Sequence, residues 1–134
     1  MTEISVRRDL SALEIPMDAW TKPFWDGTKQ GKILIPHCTD CGTFRWPPGP
    51  FCPACRSQNT GWQEAGQGYV YSFTIIRNAE GTSHVPALIE FPQAGGVRLI
   101  SAIVDTPLDA IQIGAKVKQS WAAAGDAAVP VFEI

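Results

Sequence analysis

Four cysteines, arranged as two CxxC pairs, constrain the fold of this chain more than any other feature of the sequence. Cys38 pairs with Cys41 and Cys52 with Cys55, and ten residues separate the two pairs. A two-residue gap lets the backbone fold around one point that both sulfurs face. Two such turns, called knuckles below, supply four thiolates in a tetrahedron, which is the ligand set of a structural Zn²⁺. The spacing therefore predicts one structural zinc ion on these four cysteines.

The four cysteines have three other possible uses: disulfide bonds, a redox-active pair and an iron site. A disulfide framework needs an oxidising compartment, and the apolar stretch after Arg7 and Arg8 is too short and too interrupted to be a secretory signal. We therefore expect a cytoplasmic protein with reduced cysteines. A thioredoxin-like redox pair would leave one CxxC idle. Iron in a rubredoxin-like site stays open as an alternative, because a thiolate tetrahedron accepts either metal.

Length and composition restrict the fold class and the partners. With 134 residues, 45% of them hydrophobic, the chain is one compact domain or two small modules that share a surface. Eleven prolines and twelve glycines favour short strands and turns over a helical bundle. No apolar run approaches the roughly 18 residues of a membrane span, so no membrane insertion is expected. The formal net charge of −2 argues against nucleic acid as a partner.

Residues 1–33 are predicted to form a tail, expected to be mobile, and then a helical segment. Thr21 is a candidate N-cap, Pro23 fits the first turn, and Gly31 is a plausible stop. Three aromatic residues of this segment lie close together in sequence, and two of them are four residues apart. They either pack the helix onto its own domain or dock a partner, which makes them candidate partner-binding residues: Trp20, Phe24 and Trp25.

Residues 34–62 are predicted to form the metal module. Residues 33–35 read as a strand, residues 44–46 as its hairpin partner, and residues 47–50 as the turn that returns the chain to the second pair of cysteines. A segment this short has no core of its own. Metal binding is therefore expected to supply its folding free energy.

Residues 63–134 are predicted to form a small closed β-barrel. Five stretches have the alternation or the β-branched and aromatic content of strands: 69–76, 85–91, 97–104, 114–121 and 129–133. Closure removes the exposed strand edges, and the oligonucleotide/oligosaccharide-binding (OB) fold is the five-stranded barrel of this size. Tyr69, Tyr71 and Phe73 share one face at period two, and the acidic balance favours the barrel interior for them over an exposed stacking surface.

Several segments, in this order, resemble a known family. They are PFWDG at 23–27, GKILIPHCTDCG at 31–42, WPP at 46–48, CPAC at 52–55 and GQGYVYSFT at 66–74. The chain is similar over residues 20–121 to small proteins that join a rubredoxin-like zinc ribbon to an OB-fold and are associated with acyl-CoA metabolism. The expected fold is mainly β, with an N-terminal helical segment, the ribbon and a five-stranded barrel. Arg56 departs from the family pattern, because glycine is commoner at that position, and arginine fits there if the backbone is not strongly left-handed.

The resemblance implies a non-catalytic accessory subunit. Such proteins partner thiolases and thiolase-like aldolases that cleave steroid side-chain CoA esters, so a thiolase-like large subunit would supply the nucleophilic cysteine. This chain would help to form the complex and the CoA or acyl channel. The candidates for contact with CoA are three arginines, whose guanidinium groups match phosphate oxygens, and one tryptophan: Arg45, Arg56, Arg77 and Trp46.

The residues themselves give no catalytic constellation. A closed four-sulfur metal site has no position for water or substrate. His84 lies between two predicted strands without an evident base partner, and the carboxylates are scattered. We therefore expect that the chain alone is not an enzyme. Two alternatives to the accessory role are a ribbon and OB-fold module for single-stranded nucleic acid, and a rubredoxin-like iron electron carrier.

Overall fold

The structure is a computed structural model, which describes residues 3–134. One α-helix precedes eight strands in this part of the chain, and two short 3₁₀ turns lie at Pro92–Ala94 and Leu108–Ala110. No helix among residues 3–134 is long and apolar enough to cross a bilayer. The helix and strands are α1 (Lys22–Lys29), β1 (Leu34–Cys38), β2 (Thr60–Glu64), β3 (Gly68–Phe73), β4 (Ile76–Arg77), β5 (Ser83–Phe91), β6 (Val97–Ile103), β7 (Lys116–Ala124) and β8 (Ala127–Glu133).

Strands β3 and β5–β8 close into a barrel. Their order is β3–β7–β8–β6–β5, and the pairing of β5 with β3 closes the ring, while the short β4 lies on the far part of β5. The pairings are antiparallel except that of β6 with β8, which is parallel. The predicted mainly β fold with a five-stranded barrel is confirmed. Closure satisfies the main-chain hydrogen bonds of both outer strands, so the barrel presents little free edge.

Alternating burial along β5 explains why the barrel has a core. Every second residue from Ser83 to Phe91 is buried, and the residues between them are half-buried, which is the period of a strand with one face inside. The Phe91 ring lies 6.2 Å from the ring of Phe132 on β8, and both side chains are fully buried. These two rings join opposite walls of the barrel into one apolar interior.

Strand β3 places its aromatic residues differently from the prediction. Its register on β5 shifts between Val70 and Ser72, and the residues that face the interior are Gly68 and Val70. A Cβ at Gly68 would lie 2.8 Å from both Ile89 and Phe91, so no larger residue fits there. Tyr71 is 42% exposed, Tyr69 and Phe73 are half-buried, and the prediction that these three rings fill the interior is wrong.

Residues 3–7 form an arm that is bound to the barrel, whereas the sequence predicted a mobile tail. Ser5 and Thr106 are joined by two hydrogen bonds, one from each main-chain N–H. The Arg7 guanidinium donates to Asp105 Oδ2 at 2.8 Å. At the other end of the chain, Ile134 N donates to the Thr106 hydroxyl. The contacts of Ser5 and Arg7 join residues about a hundred positions apart, so no local pattern could reveal them.

The helix α1 follows the predicted bounds but is not capped as predicted. Pro23 lies in its first turn, and Gly31 follows it at a φ of +76°. The Thr21 side chain makes no cap bond, because its hydroxyl accepts a hydrogen bond from the N–H of Asp18. The helix packs against β8 and β1 and buries Phe24 between them.

A two-stranded sheet connects the metal module to the barrel. Strand β1 pairs with β2 in antiparallel register, from Leu34 opposite Glu64 to Cys38 opposite Thr60. Residues 44–46, predicted as the partner of β1, contribute an isolated bridge at Phe44 and one hydrogen bond, so that prediction is wrong in the main. The partner strand lies after the second knuckle because the segment between the knuckles is proline-rich and lacks the N–H groups of a full ladder.

We predict that the arm makes folding stability depend on acidic pH. Hydrogen bonds from Ser83 and Arg77 hold the pKa of Glu3 below its usual value in the folded state. Stability from this group is therefore present above the unfolded pKa and lost as the pH falls through the folded pKa. Thermal unfolding measured from neutral to acidic pH should show a shallower loss for Glu3→Gln than for the wild type. Glu14 is exposed, and Glu14→Gln is the control. This role would be contradicted if the loss of thermal stability with falling pH were the same in Glu3→Gln as in the wild type, or if Glu14→Gln changed it equally.

Candidate metal centre and adjoining surfaces

The four cysteine sulfurs converge on one point, as the spacing predicts. All four Sγ atoms lie within 4.8 Å of one another, and the pairs Cys38–Cys55 and Cys41–Cys52 are each separated by 3.6 Å. A tetrahedron with metal–sulfur bonds of about 2.3 Å has edges of about 3.8 Å, close to these separations. Cys38 and Cys52 are buried while Cys41 and Cys55 are exposed, so the site lies at the surface of the ribbon. The donor set fits a tetrahedral, thiolate-bound metal ion.

The two knuckles have the same main-chain geometry. Gly42 N donates to Cys38 O at 2.8 Å, and Arg56 N donates to Cys52 O at 2.9 Å. Each first cysteine also donates its own N–H to a carbonyl beyond the second cysteine of its pair. Gly42 and Arg56 have φ angles of +80° and +65°. Arginine was expected to fit at position 56 only if the backbone there is not strongly left-handed. The structure shows that Arg56 does adopt the left-handed conformation.

Asp40 joins one knuckle to the other. Its Oδ2 accepts hydrogen bonds from the Ser57 hydroxyl and from Asn59 Nδ2. The Ser57 and Asn59 donors hold the pKa of Asp40 below its usual value. An ionised carboxylate on the first knuckle therefore fixes the backbone that follows the second, so part of the site is organised by the protein itself.

The cysteines have unequal pKa values because their thiolates compete. Main-chain N–H groups of Cys55 and Ala54 lower the pKa of Cys52 to about 6, against the opposing effect of burial. The N–H of Cys41 likewise lowers the pKa of Cys38. The N–H of Ser57 lowers the pKa of Cys55, but burial and the neighbouring sulfurs outweigh it and raise that pKa to about 12. A bound cation removes this competition, so metal binding must release protons.

A groove lies where the helix, the ribbon and the barrel meet. Its volume is about 490 Å³. Phe24 of α1 forms its floor through ring contacts with Trp25 at 4.9 Å and with Trp46 of the ribbon at 5.0 Å. Strands β5, β6 and β8 supply the opposite wall, and Ile100 is 79% exposed there. The remaining lining residues are Pro47, Leu88, Arg98, Leu99, Val129 and Pro130.

The four candidates for CoA contact lie at different places. Trp46 lines the groove, whereas the Arg45 side chain is buried within the ribbon. Arg56 is exposed on the second knuckle, and Arg77 binds Glu3 on the N-terminal arm. The structure thus brings none of the three arginines to the groove.

The cation that does border the groove was missed in the sequence. Arg98 bonds Glu90 at 3.0 Å, and its guanidinium lies 3.7 Å from the centre of the Tyr71 ring. Arg98 precedes the buried Leu99 on β6 and therefore lies on the outer face of the strand. Its cross-strand partner on β5 is Glu90. That pairing depends on strand register, which no local pattern specifies.

The three candidate partner-binding aromatics differ in exposure. Trp20 precedes the helix and is 50% exposed, Phe24 is buried, and Trp25 is half-buried at the groove. Trp20 and Phe24 therefore do not form one exposed face. Phe24 packs the helix onto the barrel, so only Trp20 and Trp25 present surface that another molecule can contact.

No pair of groups with catalytic geometry accompanies the histidines within residues 3–134. His84 Nδ1 lies 2.7 Å from the side-chain oxygen of Asn78, and no hydrogen bond joins it to Ser83. His37 packs beside Phe44, with ring centres 5.3 Å apart. Within residues 3–134, no hydrogen bond joins either imidazole ring to a serine, threonine or cysteine side chain.

We predict that the metal is zinc, at about one equivalent per chain. Elemental analysis of the purified protein should find zinc and a colourless solution, and Cys52→Ser should unfold the ribbon because the module has little apolar core. Affinity should fall as the pH is lowered, since protons compete for the thiolates. A red protein that contains iron would instead favour electron transfer.

A second prediction concerns the left-handed position in the first knuckle. Gly42→Ala should destabilise the metal-loaded protein by about 1 kcal/mol, because a non-glycine residue at positive φ is strained. A Cβ there meets no atom within 4 Å, so strain is the only cost. Gly49→Ala is the matched control, as its Cβ is also unobstructed and its φ is not positive. Equal denaturant midpoints for the two variants would show that the left-handed backbone is not required.

Comparison with known proteins identifies relatives of the whole fold. A chain described as "Ltp2-ChsH2(DUF35) aldolase" superposes with a TM-score of 0.78 at 32% identity, covering 90% of this chain and 98% of that one. A Sulfolobus solfataricus protein of unknown function from the DUF35 family gives a TM-score of 0.68 at 26% identity, over 88% of this chain and 85% of that one.

Two curated sequences are also similar. A "probable enoyl-CoA hydratase alpha subunit" of Thermomonospora curvata is 37% identical over 81% of this chain. A "DUF35 domain-containing scaffold protein" of Methanothermobacter thermautotrophicus is 30% identical over 60% of it. The matches span 36% and 65% of those two relatives, so much of each has no counterpart here.

Two family models match adjoining parts of the chain. The ChsH2 rubredoxin-like zinc ribbon domain matches residues 25–61, and the ChsH2 C-terminal OB-fold domain matches residues 62–122. Both matches agree with the cysteine cluster and the closed barrel described above. The chain belongs to the ChsH2 (DUF35) family, whose members join a zinc ribbon to an OB-fold.

Proposed function

We propose that this protein is a non-catalytic accessory subunit of a thiolase-type enzyme that acts on an acyl-CoA. The observation that carries the proposal is the likeness to the chain from the Ltp2-ChsH2(DUF35) aldolase, which extends over nearly all of that chain. The described residues support it further, because a closed four-sulfur centre is structural and neither histidine is hydrogen-bonded to a serine, threonine or cysteine side chain. The reactive cysteine would then belong to the large subunit.

The groove is the surface that we assign to the large subunit. It combines exposed apolar area with tryptophan rings held by packing, and such residues are frequent energetic centres of interfaces. Ile100, at 79% exposure, is part of the apolar lining of this groove on the barrel wall, and association would cover it. Covering the groove would leave an apolar passage between the subunits, which suits the pantetheine arm or the acyl chain of the substrate.

The CoA phosphates need cations near that passage. Arg98 borders the groove, but its guanidinium is engaged with Glu90 and stacked on Tyr71. Among the arginines chosen from the sequence, Arg56 is exposed on the ribbon. We infer that the large subunit supplies most phosphate contacts, with Trp46 of this chain lining the acyl path.

A module for single-stranded nucleic acid is the weaker candidate. Exposed Tyr71 could serve as a stacking surface, but the Arg98 guanidinium covers one face of its ring at 3.7 Å. Lys116 and Lys118 are exposed on β7, but the formal net charge of −2 leaves little attraction for phosphate. We therefore propose a protein partner.

Association with the large subunit tests the proposal. Ile100→Asp should weaken binding to the thiolase-type subunit from the same source by at least about tenfold, because a charge would be buried in an apolar contact. Ile113→Asp is the matched control, since Ile113 is a similarly exposed isoleucine, at 71%, away from the groove. Trp25→Ala and Trp46→Ala should cost about 2 kcal/mol of association if they are hot spots.

The measurements are pull-down, titration calorimetry and turnover of the assembled enzyme. Equal binding by the Ile100 and Ile113 variants would place the interface elsewhere. Full solubility, acyl-CoA affinity and turnover of the large subunit without this protein would refute the accessory role itself.

A further inference from the structure

A buried guanidinium in the ribbon has hydrogen-bonding capacity that the described chain does not use. Arg45 is 7% exposed, and its Nη2 donates to Gly49 O at 3.1 Å and to Thr60 Oγ1 at 2.6 Å. Its Nε and Nη1 are buried and have no hydrogen-bond partner within residues 3–134. The five ion pairs found in that part of the chain do not include Arg45. A buried cation without an anion is costly, and these two nitrogen atoms need acceptors that residues 3–134 do not supply.

The metal centre does not meet this requirement. A zinc ion bound by the four thiolates of this module would be net negative, and its field would offset part of the charge of Arg45. Hydrogen bonds, however, need an acceptor within about 3.2 Å, and none is present at Nε or Nη1. The need at those two nitrogen atoms is thus local.

Arg45 lines a small pocket of about 90 Å³ between the helix entry and the two-stranded sheet. Pro23, Pro36 and two tryptophans, Trp20 and Trp62, are among the other residues that line it. Since a water molecule takes about 30 Å³ of liquid volume, the pocket admits a group only a few atoms in size. A nucleotide does not fit, whereas a carboxyl group does.

The pocket adjoins a wider surface depression. Trp20, Gly49 and Thr60 line both the small pocket and a second cavity of about 420 Å³, which is also bordered by Phe51. Trp20 and Phe51 are 50% and 52% exposed. A charged group that enters the pocket is therefore flanked by aromatic surface on which neighbouring apolar residues can pack.

We propose that this pocket binds the carboxylate of an acidic side chain that a partner protein inserts beside Trp20. Arg45 is the one cationic residue among the residues that line the pocket, so a singly charged carboxylate balances it, whereas a phosphate monoester would leave excess negative charge buried. The aromatic flanks favour a carboxylate on a polypeptide over a free acid. The inference deepens the proposed function and rests on it insofar as the acidic residue belongs to the large subunit.

Peptide titration of the metal-loaded full chain tests the pocket without a partner. The probes are acetyl-Leu-Glu-Leu-amide, acetyl-Leu-Gln-Leu-amide, acetate and inorganic phosphate at constant ionic strength. NMR of the Arg45 Nε–H and the Trp20 indole N–H should show saturable shifts with the Glu peptide. One charge-assisted pair with apolar flanks predicts a dissociation constant of about 10 mM or below. The Gln peptide, acetate and phosphate should each bind at least about tenfold more weakly.

Each contrary result has a definite meaning. Equal binding of the Glu and Gln peptides would refute carboxylate recognition, and equal or tighter binding of phosphate would refute the charge argument. Acetate as tight as the Glu peptide would show a site for free carboxylates and refute the protein source. Absence of any shift at Arg45 would overturn the proposal.

Variants locate the effect. Arg45→Lys keeps the charge but lacks the guanidinium fork, so binding of the Glu peptide should fall at least about tenfold. Arg8 is an exposed arginine outside the pocket, and the control variant Arg8→Met should bind the peptide as the wild type does. If Arg45→Lys does not fold, the four-probe comparison on the wild type still decides. The peptide titration uses this chain alone, so a negative titration does not affect the association result for Ile100→Asp. Likewise, failure to associate with the large subunit does not affect the titration result.

Discussion

The four converging thiolates are the constraint on which the arrangement of the chain depends. Cys38 is both one of the four clustered cysteines and the last residue of β1, opposite Thr60 at the start of β2. Strand β2 leads directly to the barrel, so the metal centre fixes the register of the sheet that connects the modules. The ribbon has few buried apolar residues of its own, and its folding free energy must come largely from the metal and from contact with the barrel.

The groove follows from that constraint. Because α1 packs against both β8 and β1, the ribbon is held beside the barrel wall and Trp46 contacts the Phe24 ring. Rigid elements on both sides keep the tryptophans in place before any partner arrives, which lowers the entropy that association must overcome.

The sequence specified whatever depends on local pattern. Cysteine spacing predicted the cluster of four sulfurs, and alternation located the five barrel strands within a few residues. It could not specify the register shift beside Val70, the pairing of β1 with β2, or the arm at Ser5, because each depends on residues distant in the chain. For the same reason the sequence did not predict that Arg98 lies at the groove. Nor did it predict that Arg45, Arg56 and Arg77 lie at separate places in the fold.

The arm has a topological consequence for how the fold can be built into larger proteins. Ser5 and Ile134 both bond Thr106, so the two ends of the described chain emerge side by side on one side of the barrel. A domain fused at either end would start from nearly the same point on the barrel. The original ends could also be joined by a short linker and new ones opened in a surface turn, because the connection would span little distance.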